Sequence, residues 1–270
     1  MRKRAAVLGS PISHSLSPAI HNAAYLALGI EGKYDAVEVR SGQLNQFMKR
    51  VRETQANWIG FSLTMPLKEE IFQVADHVDP LAKQINSGNT LIPTTDGWLA
   101  TTTDVAGFIW ALAANEVNDF KRVQIIGAGG TARAAAAAVD APGRTIQVVN
   151  RNPERERDMR NAVSMASLSF VDWEQVDLDA DLVINTTPAG AADDLEAGSG
   201  ILFESLYNPW PTNLASKWRT KSQKRIIDGL DLLVHQAIDQ IHLMTGFVID
   251  RHLMAPILRT AGEAELRDRA

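Results

Sequence analysis

VQIIGAGGTARAAAAA, Val123 to Ala138, is the stretch on which the fold turns. A short apolar run leads into Gly127-Ala128-Gly129-Gly130-Thr131-Ala132, which fits the pattern G-x-G-x-x-A, and an alanine-rich helical stretch follows at once. In that pattern Gly127 permits a tight turn, Gly129 lets the backbone approach a pyrophosphate, and Ala132 keeps the helix close to the strand. N–H groups at the helix start then receive the anion. An ordinary tight strand-to-helix turn fits the same glycines, so the next strand has to discriminate.

That strand ends in VVNRNPERER, Val148 to Arg157. Many dinucleotide-binding chains place an acid here to grip a ribose 2′-hydroxyl. This chain has Asn150-Arg151, with Arg155 close behind. An arginine is a bidentate donor suited to a 2′-phosphate, so the segment predicts NADP(H). The competing reading is a solvated face on which Glu154 and Glu156 neutralise the arginines.

Working outward, Thr145 to Val149 and Ala180 to Asn185 repeat the apolar strand of Val123 to Ile126, as in a buried parallel sheet. Nearer the N-terminus, Ala5 to Leu8 reads as a strand. A Ser/Pro loop follows, then a helix capped by Ser17, with Pro18 at its first position and its end before Gly29. Asn57 to Thr64 reads as a strand stopped by Met65-Pro66, and Leu67 to Val74 resumes helical spacing. Asn89 to Pro93 and Trp98 to Thr102 flank Thr95-Asp96-Gly97 as a hairpin. Val105 to Asn115 is predicted helical. Ile226 to Asp228 is a strand, followed by a turn at Gly229 and a long helix, Leu232 to Thr245, closed by Gly246. Strands alternating with helices over 270 residues predict the α/β class and two domains.

Composition narrows the functions. With 27 basic and 32 acidic residues the net charge is −5, so no global field gathers nucleic acid or anionic lipid, and an anion must be bound by local groups. The absence of cysteine removes disulfides, thiolate nucleophiles and thiolate metal sites. No run of 18 apolar residues occurs, and MRKRAAVLGSP passes from basic residues straight into a strand. The expectation is a soluble cytoplasmic protein with a small-molecule partner and neither nucleic acid nor membrane. Histidines such as His14, His21, His235 and His242 lack a partnering acid cluster, so no metal site is expected.

A nicotinamide enzyme needs a polar pocket for its second substrate and a group to move the proton that accompanies the hydride. Ser15 and Ser17 put two hydroxyls on one turn, suited to a carboxylate, although helix capping alone would account for Ser17. Ser62 to Lys68 delivers Thr64 from a strand and Lys68 from the following turn. Asp104 ends the polar run Thr101 to Asp104 where the domain character changes, with helix capping as its plainer role.

Taken together the motifs resemble the shikimate dehydrogenase family: GSPISHSLSP, TMPLK, GNTL, DG followed by TD, GAGGTARA, the NR of VVNRN, INTTPAG, YNPWPT and DGLDLLVHQA, in the family's order. The resemblance implies an N-terminal α/β substrate domain, residues 1–104, completed by a returning C-terminal helix in 231–270, and a Rossmann-like NADP-binding domain at 105–230. It implies reversible NADP-dependent reduction of 3-dehydroshikimate to shikimate, in chorismate and aromatic amino acid biosynthesis, by a monomer or homodimer. Carried onto this chain, Ser15 and Ser17 hold the substrate carboxylate. Thr64, Asn89 and Gln236 hold ring hydroxyls together with Lys68 and Asp104, the catalytic pair, and Tyr207 lies beside the pocket. Gly127 to Ala132, Asn150, Arg151, Arg155, Thr187, Pro188, Gly190 and Gly229 fall to the cofactor. The rival readings are an NAD-dependent quinate/shikimate dehydrogenase and a noncatalytic NADP-binding regulatory module.

Three residues depart from the family pattern. Ser62 and Thr102 stand where asparagine is usual, and Ala191 replaces a methionine. All three bear on substrate preference and rate rather than on the type of reaction.

Overall fold

The computed structural model describes residues 2–54, 56–222 and 226–269. The chain opens with β1 (Lys3–Gly9), α1 (Ser17–Ala27), β2 (Gly32–Glu38), α2 (Leu44–Glu53) and β3 (Trp58–Leu63). A 3-10 turn at Glu70–Gln73 leads to β4 (His77–Val78), α3 (Pro80–Gln84), β5 (Thr90–Thr94) and β6 (Gly97–Thr101). Next come α4 (Asp104–Ala114), β7 (Arg122–Ile126), α5 (Gly130–Val139), β8 (Thr145–Val149), α6 (Glu156–Asn161), β9 (Ser167–Val171), β10 (Leu182–Asn185) and β11 (Ile201–Glu204). The remaining elements are α7 (Asn213–Lys221), β12 (Ile226–Ile227), α8 (Gly229–Thr245) and α9 (Arg251–Asp268). They form two compact units, one running to Thr103 and resuming at Leu233, the other spanning Asp104–Leu232.

The first unit is built on a mixed sheet of order β2-β1-β3-β5-β6-β4. Its β1 pairs in parallel with β2 and β3, so the loops after β1 and β3 leave the same end of the sheet. One sheet face buries Phe61 among Phe47, Trp58 and Trp98, with ring centroids 5.4, 4.8 and 5.5 Å away. Helix α1 is fixed by His21, which is fully buried and stacks on Tyr34 of β2 at 3.9 Å while its Nδ1 lies 2.9 Å from the Ser17 carbonyl.

The second unit is a wholly parallel sheet of order β12-β11-β10-β7-β8-β9. The chain runs outward from β7 through β8 to β9, then returns to the other side of β7 with β10. The strand order therefore reverses between β7 and β10, and in open α/β sheets ligands bind beyond the carboxyl ends of the strands at such a point. Fully buried Trp218 anchors the core on the β11 side, its indole N–H donating to the Gly200 carbonyl at 2.9 Å.

Three local expectations change. Ser17 is not the cap of α1: Leu16 occupies that position in helical conformation with no side-chain cap, because the turn closed by Ser15 N–H on the Ile12 carbonyl already brings buried Leu16 into line. The helical spacing of Leu67 to Val74 becomes one short 3-10 turn, which suffices to bury Leu67 and Ile71 before the chain reverses into β4. Gly229 is not a turn but the first residue of α8, where a Cβ would overlap the Ser205 carbonyl. The hairpin of β5 and β6 and the strands β7 and β8 form as expected.

Two measurements test this packing. Trp218→Ala should lower the unfolding free energy by about 3–5 kcal/mol in urea titrations, the range for truncating a large buried aromatic side chain. Burial lowers the His21 pKa from 6.5 to about 4, against the opposing hydrogen bond to Ser17. The unfolded chain then takes up the proton first, so the stability contributed by the neutral ring is complete above pH 6.5 and is lost as pH falls through about 4. His235, lowered to about 4 by burial and the nearby Arg251, acts in the same direction. The gap for His21 corresponds to about 3 kcal/mol. Urea midpoints should fall between pH 6.5 and 4, and a His21→Gln variant with the same slope as the natural chain would remove His21 as a cause.

Candidate active site

The serine loop and the TMPLK loop stand side by side at the carboxyl ends of β1 and β3. A Cβ on Gly9, the last residue of β1, would overlap Thr64 and come within 2.9 Å of the Met65 carbonyl, so the two loops pass this closely only because Gly9 has no side chain. Ser10 Oγ and the Ile12 N–H both donate to Glu38, at 2.7 and 3.1 Å, pinning the start of the serine loop to β2. Ser15 Oγ accepts the Ser17 N–H at 3.3 Å, and Ser17 itself is buried. Lys68 and Thr64 are half-buried on the second loop, where the Gly88 N–H donates to the Lys68 carbonyl at 2.8 Å. That bond sets Lys68 beside the strand start that carries Asn89.

Asn89 is the centre of a buried polar network. Its Oδ1 accepts the Thr103 N–H at 2.8 Å and the Thr90 hydroxyl at 2.9 Å, while its Nδ2 donates to Thr103 Oγ1 at 2.9 Å and Gln236 Oε1 at 3.1 Å. An asparagine amide offers two acceptor positions and two hydrogens, and protein groups engage all four. Gln236 donates one hydrogen to the Leu233 carbonyl at 3.0 Å. One α-helical turn further on, Gln240 donates to the Asn89 carbonyl and Thr90 Oγ1, at 3.1 and 3.0 Å. Gln240 Oε1 accepts from Ser62 Oγ at 2.6 Å, and Ser62 in turn accepts from the Tyr34 phenol at 2.6 Å.

Contacts therefore run from Ser17 through His21, Tyr34, Ser62 and Gln240 to Asn89, Thr103 and Gln236. The shorter Ser62 fits because Tyr34 reaches across to it. Sequence reading missed Tyr34, Thr103 and Gln240. Of these only Gln240 left a signal, its four-residue spacing from Gln236 on one helix. The Thr102 hydroxyl is buried without a hydrogen-bond partner among the described residues. Asp104, buried at the first position of α4, follows directly in the chain after Thr103, whose hydroxyl lies inside this network.

In the second unit the glycine-rich turn closes as its composition requires. Gly127 has φ +109, and a Cβ there would stand 2.7 Å from Thr186 Oγ1; its N–H donates to the Val149 carbonyl at 3.1 Å. A Cβ at Gly129 would meet nothing within 4 Å, so the backbone at the start of α5 is open to approach. Ala132 is fully buried against the sheet, Ala128 is buried, and Gly130 and Thr131 are half-buried in the first turn of α5. The residues present thus fit a dinucleotide pyrophosphate.

Arg151 and Arg155 are exposed beyond the end of β8. The Arg151 guanidinium lies 4.4 Å over the Trp173 ring and donates to the Ala191 carbonyl at 3.3 Å. Glu156, one of the two acids of the competing solvated-face reading, pairs with Arg160 at 3.2 Å. Asn150 closes a turn on Asn152, its Nδ2 donating to the Asn152 carbonyl at 2.5 Å and its Oδ1 accepting the Asn152 N–H at 3.0 Å. Thr187, Pro188 and Gly190 (φ +83) lie in the loop after β10, and half-buried Tyr207 follows β11. Trp173 was not anticipated.

Among the described residues no group of three or more histidines and acids could hold a metal ion, and no helix is long and apolar enough to cross a membrane.

Comparison with known proteins gives a consistent result. Residues 7–91 match the family model described as the shikimate dehydrogenase substrate binding domain, and residues 111–192 match the one described as shikimate / quinate 5-dehydrogenase. The shikimate dehydrogenase (NADP(+)) of Methanosarcina acetivorans is 35% identical over 98% of this chain and 100% of its own. Among solved structures, shikimate dehydrogenase from Mycobacterium tuberculosis superposes with a TM-score of 0.83 at 34% identity, covering 96% of this chain and 99% of that one. Shikimate 5-dehydrogenase from Thermus thermophilus, solved in complex with NADP(H) and shikimate, gives 0.81 at 31% identity over 97% of this chain and 100% of that one. Matched by both family models and, along nearly its full length, by these relatives, the chain belongs to the shikimate dehydrogenase family.

Proposed function

We propose that this chain catalyses the reversible NADP-dependent reduction of 3-dehydroshikimate to shikimate, a step toward chorismate and the aromatic amino acids. The observation that carries the reading is the network joining Ser17, Asn89 and Gln236 within one unit, with Lys68 stitched beside Asn89 through Gly88. A small polyhydroxylated carboxylate needs short donors and acceptors at fixed positions, and a connected network fixes them better than flexible surface groups do.

Each residue has a part in this reading. Ser15 and Ser17 receive the carboxylate. The second N–H of Gln236 meets a ring hydroxyl, and Asn89 serves chiefly by holding Gln236 and Thr103 in place, reaching the substrate itself only if a ring hydroxyl replaces one of its present partners. Bound NADPH supplies the hydride. As the carbonyl carbon is reduced, negative charge grows on its oxygen, and the Lys68 ammonium stabilises that charge and delivers the proton. Asp104 orients the hydroxyl and the ammonium, and Tyr207 borders the nicotinamide side. The Gly127–Ala132 turn takes the pyrophosphate, and Arg151 and Arg155 take the 2′-phosphate.

Purified protein assayed with 3-dehydroshikimate should oxidise NADPH much faster than NADH. Preference for NADH would transfer the chain to the NAD-dependent quinate/shikimate class, and no turnover with either would favour a noncatalytic binding module. Lys68→Ala should reduce kcat by about 10²–10⁴-fold, the usual contribution of a positioned general acid, with NADPH affinity by fluorescence titration unchanged. For Arg151→Ala the expected change is a roughly tenfold rise in the KM for NADPH, corresponding to one charge-assisted hydrogen bond, with NADH kinetics unaltered. An equal loss with both nucleotides would return Arg151 to a surface role.

A further inference from the structure

The mechanism above leaves one buried acid unused. Glu204, the last residue of β11, is fully buried, and the described groups at its carboxylate are hydrogen-bond donors. Asn185 Nδ2 donates to both of its oxygens at 3.1 and 3.0 Å, the Thr212 hydroxyl at 3.1 Å and the Leu206 N–H at 3.4 Å. Burial raises its pKa, while the bonds from Asn185, Leu206 and Thr212 oppose the rise and the charge of Asp193 adds to it.

The bond to Asn185 continues outward. With its Nδ2 committed to Glu204, Asn185 presents Oδ1 to the loop after β10, where it accepts the Thr187 N–H at 3.1 Å and the Thr187 hydroxyl at 2.7 Å. The preceding residue is tied to the other wall of the strand-order reversal: the Thr186 N–H and hydroxyl both donate to the Ile126 carbonyl, at 3.0 and 2.9 Å, directly before Gly127. Glu204, Asn185, Pro188, Gly190 and Thr212 line a cavity of about 170 Å³ beneath this loop. The loop faces the glycine-rich turn across the place where a parallel sheet of this topology binds its ligand.

We propose that Glu204 is a positioning residue for the dinucleotide: through Asn185 it fixes Thr187 and so holds the loop from Thr187 to Gly190 in the shape that receives the nicotinamide end of NADP(H). This rests on the cofactor reading given above. The polarity of the pair is what matters. Glu204 accepts, so Asn185 must turn its NH₂ inward and its oxygen outward, and only that orientation offers an acceptor to both Thr187 donors. A glutamine at position 204 places an NH₂ against one of the existing donors and releases the constraint.

The test compares Glu204→Gln with the polarity-reversed pair Asn185→Asp/Glu204→Gln, in which a carboxylate at 185 accepts from both the glutamine and Thr187. Affinities for NADPH and for 2′,5′-ADP, which lacks the nicotinamide half, are measured by calorimetry alongside the KM for NADPH and kcat. Glu204→Gln should weaken NADPH about tenfold in Kd and KM, change kcat less than threefold and leave 2′,5′-ADP affinity within twofold. The paired variant should restore NADPH affinity to within threefold. Thr187→Val cuts the same relay at its outer end and should reproduce the selective loss, which keeps the test available if Glu204→Gln does not fold. Unchanged NADPH affinity in the folded single variants, equal weakening of both ligands, or no recovery in a folded paired variant would overturn the proposal. A natural chain that binds NADPH but does not reduce 3-dehydroshikimate would sink the catalytic reading and leave the relay to be decided by the calorimetry.

Discussion

The side-chain amide of Asn89 is the constraint around which the first unit is arranged. An amide carried into the interior without partners costs on the order of 2–7 kcal/mol, so this one is tolerable only because Thr90, Thr103 and Gln236 meet it from separate elements. Satisfying it fixes the start of β5, the end of β6 and the inner face of α8 relative to one another. The same bonds leave Gln236 with a directed hydrogen and put Lys68 one backbone bond away, through Gly88. Solving the burial problem and building the site are here one arrangement.

The second unit depends on a different economy of groups. Its inner strands are largely apolar, with buried Gln124 as a mid-strand exception, and a second set of polar groups stands at their carboxyl ends. There the Ile126 carbonyl, Asn185 and Glu204 stand at the ends of three neighbouring strands, β7, β10 and β11, each occupied by donors from the loops that follow. Polar side chains buried at strand ends can brace loops without interrupting a ladder, which is why the braces collect where the ligand is received.

Much of this was legible in the chain. The glycine turn with its flanking strand and helix fixed the class, and the β5/β6 hairpin announced itself through Asp96-Gly97. The loop motifs gave Ser15, Ser17, Thr64 and Lys68 as polar residues in unusual places, the family resemblance added Asn89 and Gln236, and the structure brings those two together as neighbours. What could not be read were partnerships between residues far apart in the chain. Nothing near Tyr34 says that its phenol ends on Ser62, or that Ser62 in turn meets Gln240, 178 positions later. Nothing around Trp173 in the chain announces that Arg151 lies over its ring. The boundary errors at Ser17 and Gly229 have the same origin: capping and turn preferences are local, while Leu16 and Gly229 answer to what packs against them.

The stack of Arg151 on Trp173 has a thermodynamic consequence. An arginine that moves freely in solvent surrenders about 2 kcal/mol of rotamer entropy when it closes on an anion. Here one guanidinium face already rests on an indole and one N–H is already committed to the Ala191 carbonyl, so much of that freedom is lost on folding, before any nucleotide arrives. A lysine at 151, with no planar face to lay on the ring, would keep its entropy until capture. In the proposed reading, phosphate recognition at this corner is therefore prepared in the free protein, and the discrimination between two nearly identical nucleotides is drawn from preorganisation as much as from charge.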